Sequence, residues 1–176
     1  MDQESIKNKL VSTFGEEIVE NAVVFRDEMA VTVPKDKVLD VCRFLKEDPE
    51  LSFDFLSFVG GVDWHPKEPR FEVVYQLHSL RHNHRFRIKA QVEMADDGLG
   101  HIDSVVKIWP TANWHERETS EMFGITFRDH PDPRKLLLPD AWNVHPLRKD
   151  FPLMGTEDDT PDLPRTELPA PGQTHE

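Results

Sequence analysis

Nine of the 14 prolines lie after Trp114, at Pro131, Pro133, Pro139, Pro146, Pro152, Pro161, Pro164, Pro169 and Pro171, and no helix or central strand can run through them. Proline lacks the amide donor that a helix or ladder needs, and it biases the residue before it toward extended backbone. The chain of 176 residues therefore divides into a periodic part, 1–127, a proline-rich segment, 128–153, and an acidic proline-rich tail, 154–176. The periodic part has room for one modest core. With 38% hydrophobic residues, 11 Phe and 4 Trp, it has the material to close one.

Ile6, Leu10, Val11 and Phe14 recur at helical spacing and stop at Gly15, which predicts a short amphipathic helix. Ala22 to Phe25 and Met29 to Val33 are β-favouring runs around Arg26-Asp27-Glu28, the pattern of a hairpin. Pro34 opens a second helix with Val38, Val41, Cys42 and Leu45 on one face. His84 to Glu93 alternates apolar Phe86, Ile88, Ala90 and Val92 with Arg85, Arg87, Lys89 and Gln91, so one face of that strand is buried and the other is wet and basic. Phe71 to Leu77 alternates likewise. Asp96-Asp97-Gly98 turns into a further run, Asp103 to Trp109, and these three are expected to form an antiparallel meander. Phe53 to Val59 is a fourth strand, interrupted by Gly60-Gly61, and a third helix runs from Asn113 to Phe123 with Gly124 as its left-handed stop. The order predicts an α+β fold, a mostly antiparallel sheet with helices packed on one face, followed by an extended proline-rich C-terminal arm.

Charge removes several functions. Lys+Arg total 21 against 33 Asp+Glu, a formal charge of -12, and phosphate neutralisation needs the opposite excess, so nucleic acid is excluded as a partner. A single cysteine, Cys42, and no secretory apolar run point to a reduced compartment, and Cys42 on an apolar helix face is a core filler rather than a nucleophile. No apolar run approaches the length of a membrane span, so membrane association is expected only through partner chains.

Nine histidines invite a metal, with His78, His82 and His84 close in sequence, but zinc-type spacing with Cys or carboxylates is missing and a solvated basic hairpin explains them. G-x-G-x-x-G, P-loop and G-x-S-x-G motifs are absent, and one cysteine cannot ligate an iron–sulfur cluster. No metal, FMN or other cofactor is expected on this chain. The dense stretch is Trp114 to Trp142. Asn113 with Glu116 resembles a capping box. Glu118 lies four residues from both Trp114 and Met122, so it is expected to be partly buried and to need a cation, with Arg134 and Lys135 the nearest past the stiff His130-Pro131-Asp132-Pro133 turn. Read as a general acid and base, the same carboxylates would make a stand-alone hydrolase, but no nucleophile or metal motif accompanies them.

Glu116-Arg117-Glu118, Met122-Phe123-Gly124-Ile125, Phe127, His130-Pro131-Asp132, Arg134 and Pro146-Leu147-Arg148-Lys149-Asp150-Phe151-Pro152-Leu153 together resemble the signature of the C-type subunit of proton-pumping NADH:quinone oxidoreductase, respiratory complex I (NDH-1). Departures from the family pattern fall at Glu121, where Asp is usual, and at Asp129, Pro133 and Lys135. The resemblance implies a non-catalytic peripheral-arm component, on the cytoplasmic side of the inner membrane, that scaffolds the quinone-site (D-type) subunit beside iron–sulfur subunits. FMN, iron–sulfur clusters and quinone then belong to the complex, which passes electrons from NADH to quinone and translocates protons. It also implies structural roles. Glu116 and Glu118, on either side of the signature residue Arg117, are buried or interfacial ion-pair partners, Phe123 an anchor, Gly124 a helix stop, and His130, Pro131, Asp132 and Arg134 a rigid docking loop. Pro146, Leu147, Arg148, Lys149, Asp150 and Phe151 become the part of the arm that docks first on a partner. The equivalent subunit of a membrane-bound hydrogenase or another donor:quinone oxidoreductase is the nearest alternative.

Overall fold

A computed structural model of the chain describes residues 2–153 and 155. Three α-helices, α1 (Gln3–Phe14), α2 (Val38–Glu47) and α3 (Ala112–Phe123), accompany seven strands. These are β1 (Asn21–Phe25), β2 (Glu28–Thr32), β3 (Phe55–Asp63), β4 (Phe71–Ser79), β5 (His84–Val92), β6 (Gly100–Asp103) and β7 (Ile125–Arg128). Asp2 caps α1 by accepting from the Ser5 N–H at 2.9 Å, and Gly15 ends it at φ +96°.

Five strands form one mixed, mostly antiparallel sheet in the order β1-β2-β5-β4-β3. β1 and β2 are the expected hairpin, closed by Arg26 and Asp27 at φ 52° and 62°, the left-handed pair that a two-residue turn requires. The chain then crosses the sheet through α2 to the far edge, and β3, β4 and β5 return as an antiparallel meander. That return brings β5 beside β2 in parallel, with Val31 opposite Ile88. Alternation sorts the faces. Val31, Val73, Tyr75, Leu77, Phe86 and Ile88 point into a core shared with Ile6 and Leu10 of α1 and with Val38, Val41, Cys42 and Leu45 of α2. On the other face, Arg87 pairs with Glu28 at 2.7 Å and Lys89 with Glu72 at 2.9 Å.

Two expectations are corrected. Gly60-Gly61 does not interrupt the fourth strand, because β3 runs through both glycines to Asp63. Its inward side at Gly61 is filled by Phe123, whose ring would stand 2.6 Å from a Cβ there, so the glycine sets how closely α3 approaches the sheet. The run Asp103 to Trp109 does not complete the meander either. Only Gly100–Asp103 is strand, and it pairs in parallel with β7 across α3 as a two-stranded β-α-β unit. Ser104 to Trp109 turns instead, and the indole N–H of Trp109 donates to the Phe53 carbonyl at 2.9 Å.

Of the proline-rich segment, 129–153 has no regular element, as proline dictates. It is nevertheless tied residue by residue to the domain before it. The acidic tail lies outside the described residues except for Gly155.

Candidate functional site: helix α3 and the strap across it

Helix α3 buries Ala112, Glu116 and Thr119 against the sheet and packs Phe123 on Gly61. The register decides the fate of Glu116 and Glu118. Glu118 is two residues, about 200°, from Glu116, on the stripe of Trp114 and Met122, and Trp114 is itself 62% exposed. Glu118 is therefore exposed and lines an open groove, which corrects the expectation that it is buried and paired with Arg134 or Lys135. Those two side chains are used locally. Arg134 chelates Asp132 at 2.7 Å, and the Lys135 Nζ donates to the carbonyl oxygens of Asp140 and Trp142.

The buried carboxylate is Glu116, fully inaccessible, accepting from the Ser104 hydroxyl at 2.6 Å and the Val105 N–H at 2.8 Å. It is not a capping-box residue, because α3 starts at Ala112 and the side chain points back to the turn after β6. Burial pushes its carboxyl up to about 7, against the opposing pull of the Ser104 and Val105 donors. His130 stands 3.8 Å away. The His130 Nδ1 accepts from the Asp132 N–H at 3.0 Å, which leaves its proton on Nε2 to donate to the Asn113 carbonyl at 3.2 Å. Glu116, Arg117, Ser120, Thr126, Phe127, His130 and Pro133 enclose a pocket of only about 50 Å³, room for a water or two and no substrate.

Residues 130–150 form a strap held at four places. Arg117 donates to the carbonyls of Arg134 at 2.7 Å and Lys135 at 3.0 Å. Glu121, 5% exposed, accepts three successive backbone N–H groups, from Leu136 at 3.0 Å, Leu137 at 2.8 Å and Leu138 at 3.0 Å. The third fastening is the C-terminus of α3, whose last carbonyls would otherwise lack partners. Ser120 O accepts from the Gly124 N–H, Glu121 O from the His145 Nδ1, Met122 O from the Leu147 N–H, and Phe123 O from the Arg148 Nε. Gly124, at φ +71°, supplies the left-handed stop and leaves the room that His145 and Arg148 occupy, His145 standing 2.7 Å from where a Cβ would be.

At the fourth, Arg70 makes a bidentate pair with Asp63, both bonds 3.0 Å, and reaches Asp150 at 2.7 Å, while the Lys149 N–H donates to Asp63 at 2.8 Å. Burial alone would raise the Asp63 carboxyl, but the Arg70 donors and the N–H groups of His65 and Lys149 outweigh it and hold it at about 2.

The signature residues expected to dock first on a partner are thus docked on the chain itself. Arg117, Arg148, Lys149 and Asp150 fasten the strap, and Pro146 places Leu147 at the α3 terminus. Phe151 closes the turn by donating its N–H to the Arg148 carbonyl at 3.1 Å. Pro131, fixed between His130 and Asp132, is exposed. Sequence reasoning missed Asp63, Arg70, Glu121 and His145 as members. The Leu136-Leu137-Leu138 triplet, three amides in a loop with no ladder to join, was the available signal for an acceptor such as Glu121.

What the strap and α3 leave open is an apolar-rimmed groove of about 460 Å³ along β3, lined by Phe58, Gly60, His115, Glu118, Met122 and Leu147 among others. Phe58 is 41% and Leu147 55% exposed beside it. Among the described residues no three His, Cys, Asp or Glu side chains are grouped to hold a metal ion. His82 and His84 instead hydrogen-bond the carbonyls of Pro49 and Leu51 at 3.0 and 2.9 Å. No helix among the described residues is long and apolar enough to cross a membrane.

Comparisons with known proteins match this arrangement to a family. The C 2 subunit of NADH-quinone oxidoreductase from Rhizobium meliloti (strain 1021) is 44% identical over 149 residues, 85% of this chain and 79% of that protein. The corresponding C-type subunit from Roseiflexus sp. (strain RS-1) is 42% identical over 157 residues, 89% of this chain and 88% of its own. Among solved structures, a chain of the membrane-bound sulfane sulfur reductase (MBS), an archaeal respiratory membrane complex, superposes with a TM-score of 0.67 at 26% identity over 86% of both chains. The family described as respiratory-chain NADH dehydrogenase, 30 Kd subunit, matches residues 31–157, a span that takes in α3 and the whole strap. By that match, and by relatives above 40% identity over most of their length, the chain belongs to the respiratory-chain NADH dehydrogenase 30 kDa subunit family.

Proposed function

We propose that this chain works as the non-catalytic 30 kDa, C-type subunit in the peripheral arm of an NADH-quinone oxidoreductase. There it positions the quinone-site (D-type) subunit beside iron–sulfur subunits on the cytoplasmic side of the membrane, and FMN, the clusters and quinone are held by those partners. The observation that carries the reading is where the charged residues around α3 and the strap go. Arg117, Glu121, Arg148 and the Asp63–Arg70–Asp150 cluster are all engaged in holding the strap on α3. None of these lines the groove beside α3, where Glu118 and His115 stand among mostly apolar side chains. The exposed remainder of the site, Phe58 and Leu147 on the groove with Glu118 beside them and Trp114 nearby, is a largely apolar surface of the kind found at the centre of a protein interface. The fastening of residues 130–150 to α3 and to Asp63 supports one body with a prepared face.

Leu147→Asp in the whole complex tests this. The substitution leaves the backbone bond from the Leu147 N–H to Met122 in place and puts a charge into the groove rim. Assembled complex should fall several-fold while NADH:quinone turnover per assembled complex stays normal. Full assembly with abolished turnover would instead assign this face a part in catalysis or proton transfer.

A second reading has its own observation, the match to a chain of the sulfane sulfur reductase. The same scaffold can serve a respiratory complex with another electron donor. The complex purified through this chain should oxidise NADH under the first reading and should not under the second.

A further inference from the structure

β1 is exposed along all five of its residues, Asn21–Phe25, including Val23 at 53%, Val24 at 62% and Phe25 at 68%. It is one edge of the five-stranded sheet. The opposite edge, β3, is covered by α3, where the Thr119 hydroxyl donates to the Val59 carbonyl at 3.4 Å. β1 has no such cover among the described residues, and it lacks the lysines, prolines and bulges that normally blunt a free edge. The two-residue turn makes Phe25 and Glu28 the closing hydrogen-bonded pair, so pairing with β2 alternates back through Val23 and Asn21. The N–H and C=O groups of Ala22 and Val24 therefore point away from the sheet, four outward-facing groups on an apolar strand.

Charge says what this edge accepts. Before β1 stand Glu16, Glu17 and Glu20, and after it Asp27. On the core side, Val24 borders an open groove of about 740 Å³ lined by Asp2, Glu4 and Asp27 against Arg85. On the outer side the Arg26 guanidinium lies 5.2 Å over the Phe25 ring. The edge is thus apolar in its middle, carries three glutamates at its N-terminal end, and at its other end has Asp27 beside an Arg26 that is folded onto Phe25.

We propose that β1 receives an extended segment of another protein chain as a sixth strand, a segment apolar at its centre and carrying lysine or arginine at its flanks. Backbone bonds to Ala22 and Val24 fix its register, and its flanking cations meet Glu20 and Asp27. This surface lies apart from the α3 groove and stands or falls independently of the function proposed above.

The test uses the full chain, isotopically labelled, with two capped peptides at millimolar concentration, Lys-Val-Thr-Val-Lys and Glu-Val-Thr-Val-Glu. The lysine peptide should slow amide exchange at Ala22 and Val24 about tenfold while leaving Val23 and Phe25, already bonded to β2, unchanged. The glutamate peptide should have no effect. In the variant carrying Glu20→Gln and Asp27→Asn, which keeps a residue tolerant of the left-handed turn, the two peptides should become equivalent. Absence of slowing by either peptide overturns the proposal, as does equal slowing by both on the unmodified chain. Concentration-dependent protection of Ala22 and Val24 without peptide overturns it in favour of a second copy of this chain.

Discussion

Arg148 donates from its Nε to the carbonyl oxygen of Phe123 at 2.7 Å, and its Nη2 reaches the Gly98 carbonyl at 2.7 Å, so one guanidinium joins the end of α3 to the turn before β6. That guanidinium also lies 5.2 Å over the Phe71 ring. A lysine carries one ammonium and cannot span both carbonyls. Arg148→Lys should cost about 1.5 to 3 kcal/mol, the range for hydrogen bonds to a charged group. Urea unfolding of the isolated chain measures it, and a change within about 0.5 kcal/mol would show that the strap is not part of the cooperative unit.

Glu121 and Glu118 should separate sharply under the same Glu→Gln change. Glu121→Gln replaces one of two acceptor oxygens by a donor facing the N–H groups of Leu136, Leu137 and Leu138. It should destabilise by about 1 to 3 kcal/mol and speed amide exchange at those three residues. Glu118→Gln, on the exposed stripe, should leave free-chain stability within about 0.5 kcal/mol and act only on assembly.

Two of the buried carboxylates, Glu116 and Asp63, pull the pH dependence of stability in opposite directions. Glu116 is raised from 4.5 to about 7 in the folded chain, so between those values the native state keeps a proton that the unfolded chain has lost. Stability then falls as pH rises through that window, by on the order of 3 kcal/mol. Asp63 is lowered from 3.8 to about 2, so its contribution is full above 3.8 and is lost as pH falls through about 2. Stability from these groups should peak between about 4 and 5. Urea titrations from about pH 2 to 8 should show both limbs, and Glu116→Gln should flatten the upper limb alone.

Gly61→Ala puts a Cβ 2.6 Å from the Phe123 ring, in the contact that seats α3 on β3. Overpacking of this kind costs about 1 to 3 kcal/mol. A companion Phe123→Leu change, which withdraws the ring edge, should recover part of that loss. If the double variant is no more stable than the sum of the single changes predicts, the two residues are not coupled as the structure has them.

The helices with strong periodicity and the β1–β2, β4 and β5 strands were legible because each buries one face or pairs through a short turn, and both habits leave a local record in the sequence. The same rule misled at Glu118. Two large apolar neighbours at i−4 and i+4 read as a buried face, yet Trp114 is 62% exposed and Glu118 and Met122 line an open groove. Glu116 looked like a helix cap because sequence distance made Asn113 its natural partner, whereas its donors, Ser104 and Val105, come from the turn after β6.

By itself the sequence determined that no central element can pass through Pro131, Pro133, Pro139, Pro146 and Pro152 and that one cysteine cannot ligate a cluster, since these follow from residue chemistry alone. Only the tertiary structure decided what the signature does. A cap for the last carbonyls of α3 drawn from His145, Leu147 and Arg148, and a carboxylate at Glu121 matched to amides at 136–138, are bonds between groups 15 to 25 residues apart. Local spacing holds no record of such pairs. Their partners are fixed by where α3 lands on Gly61, and that is set by the packing of the whole sheet.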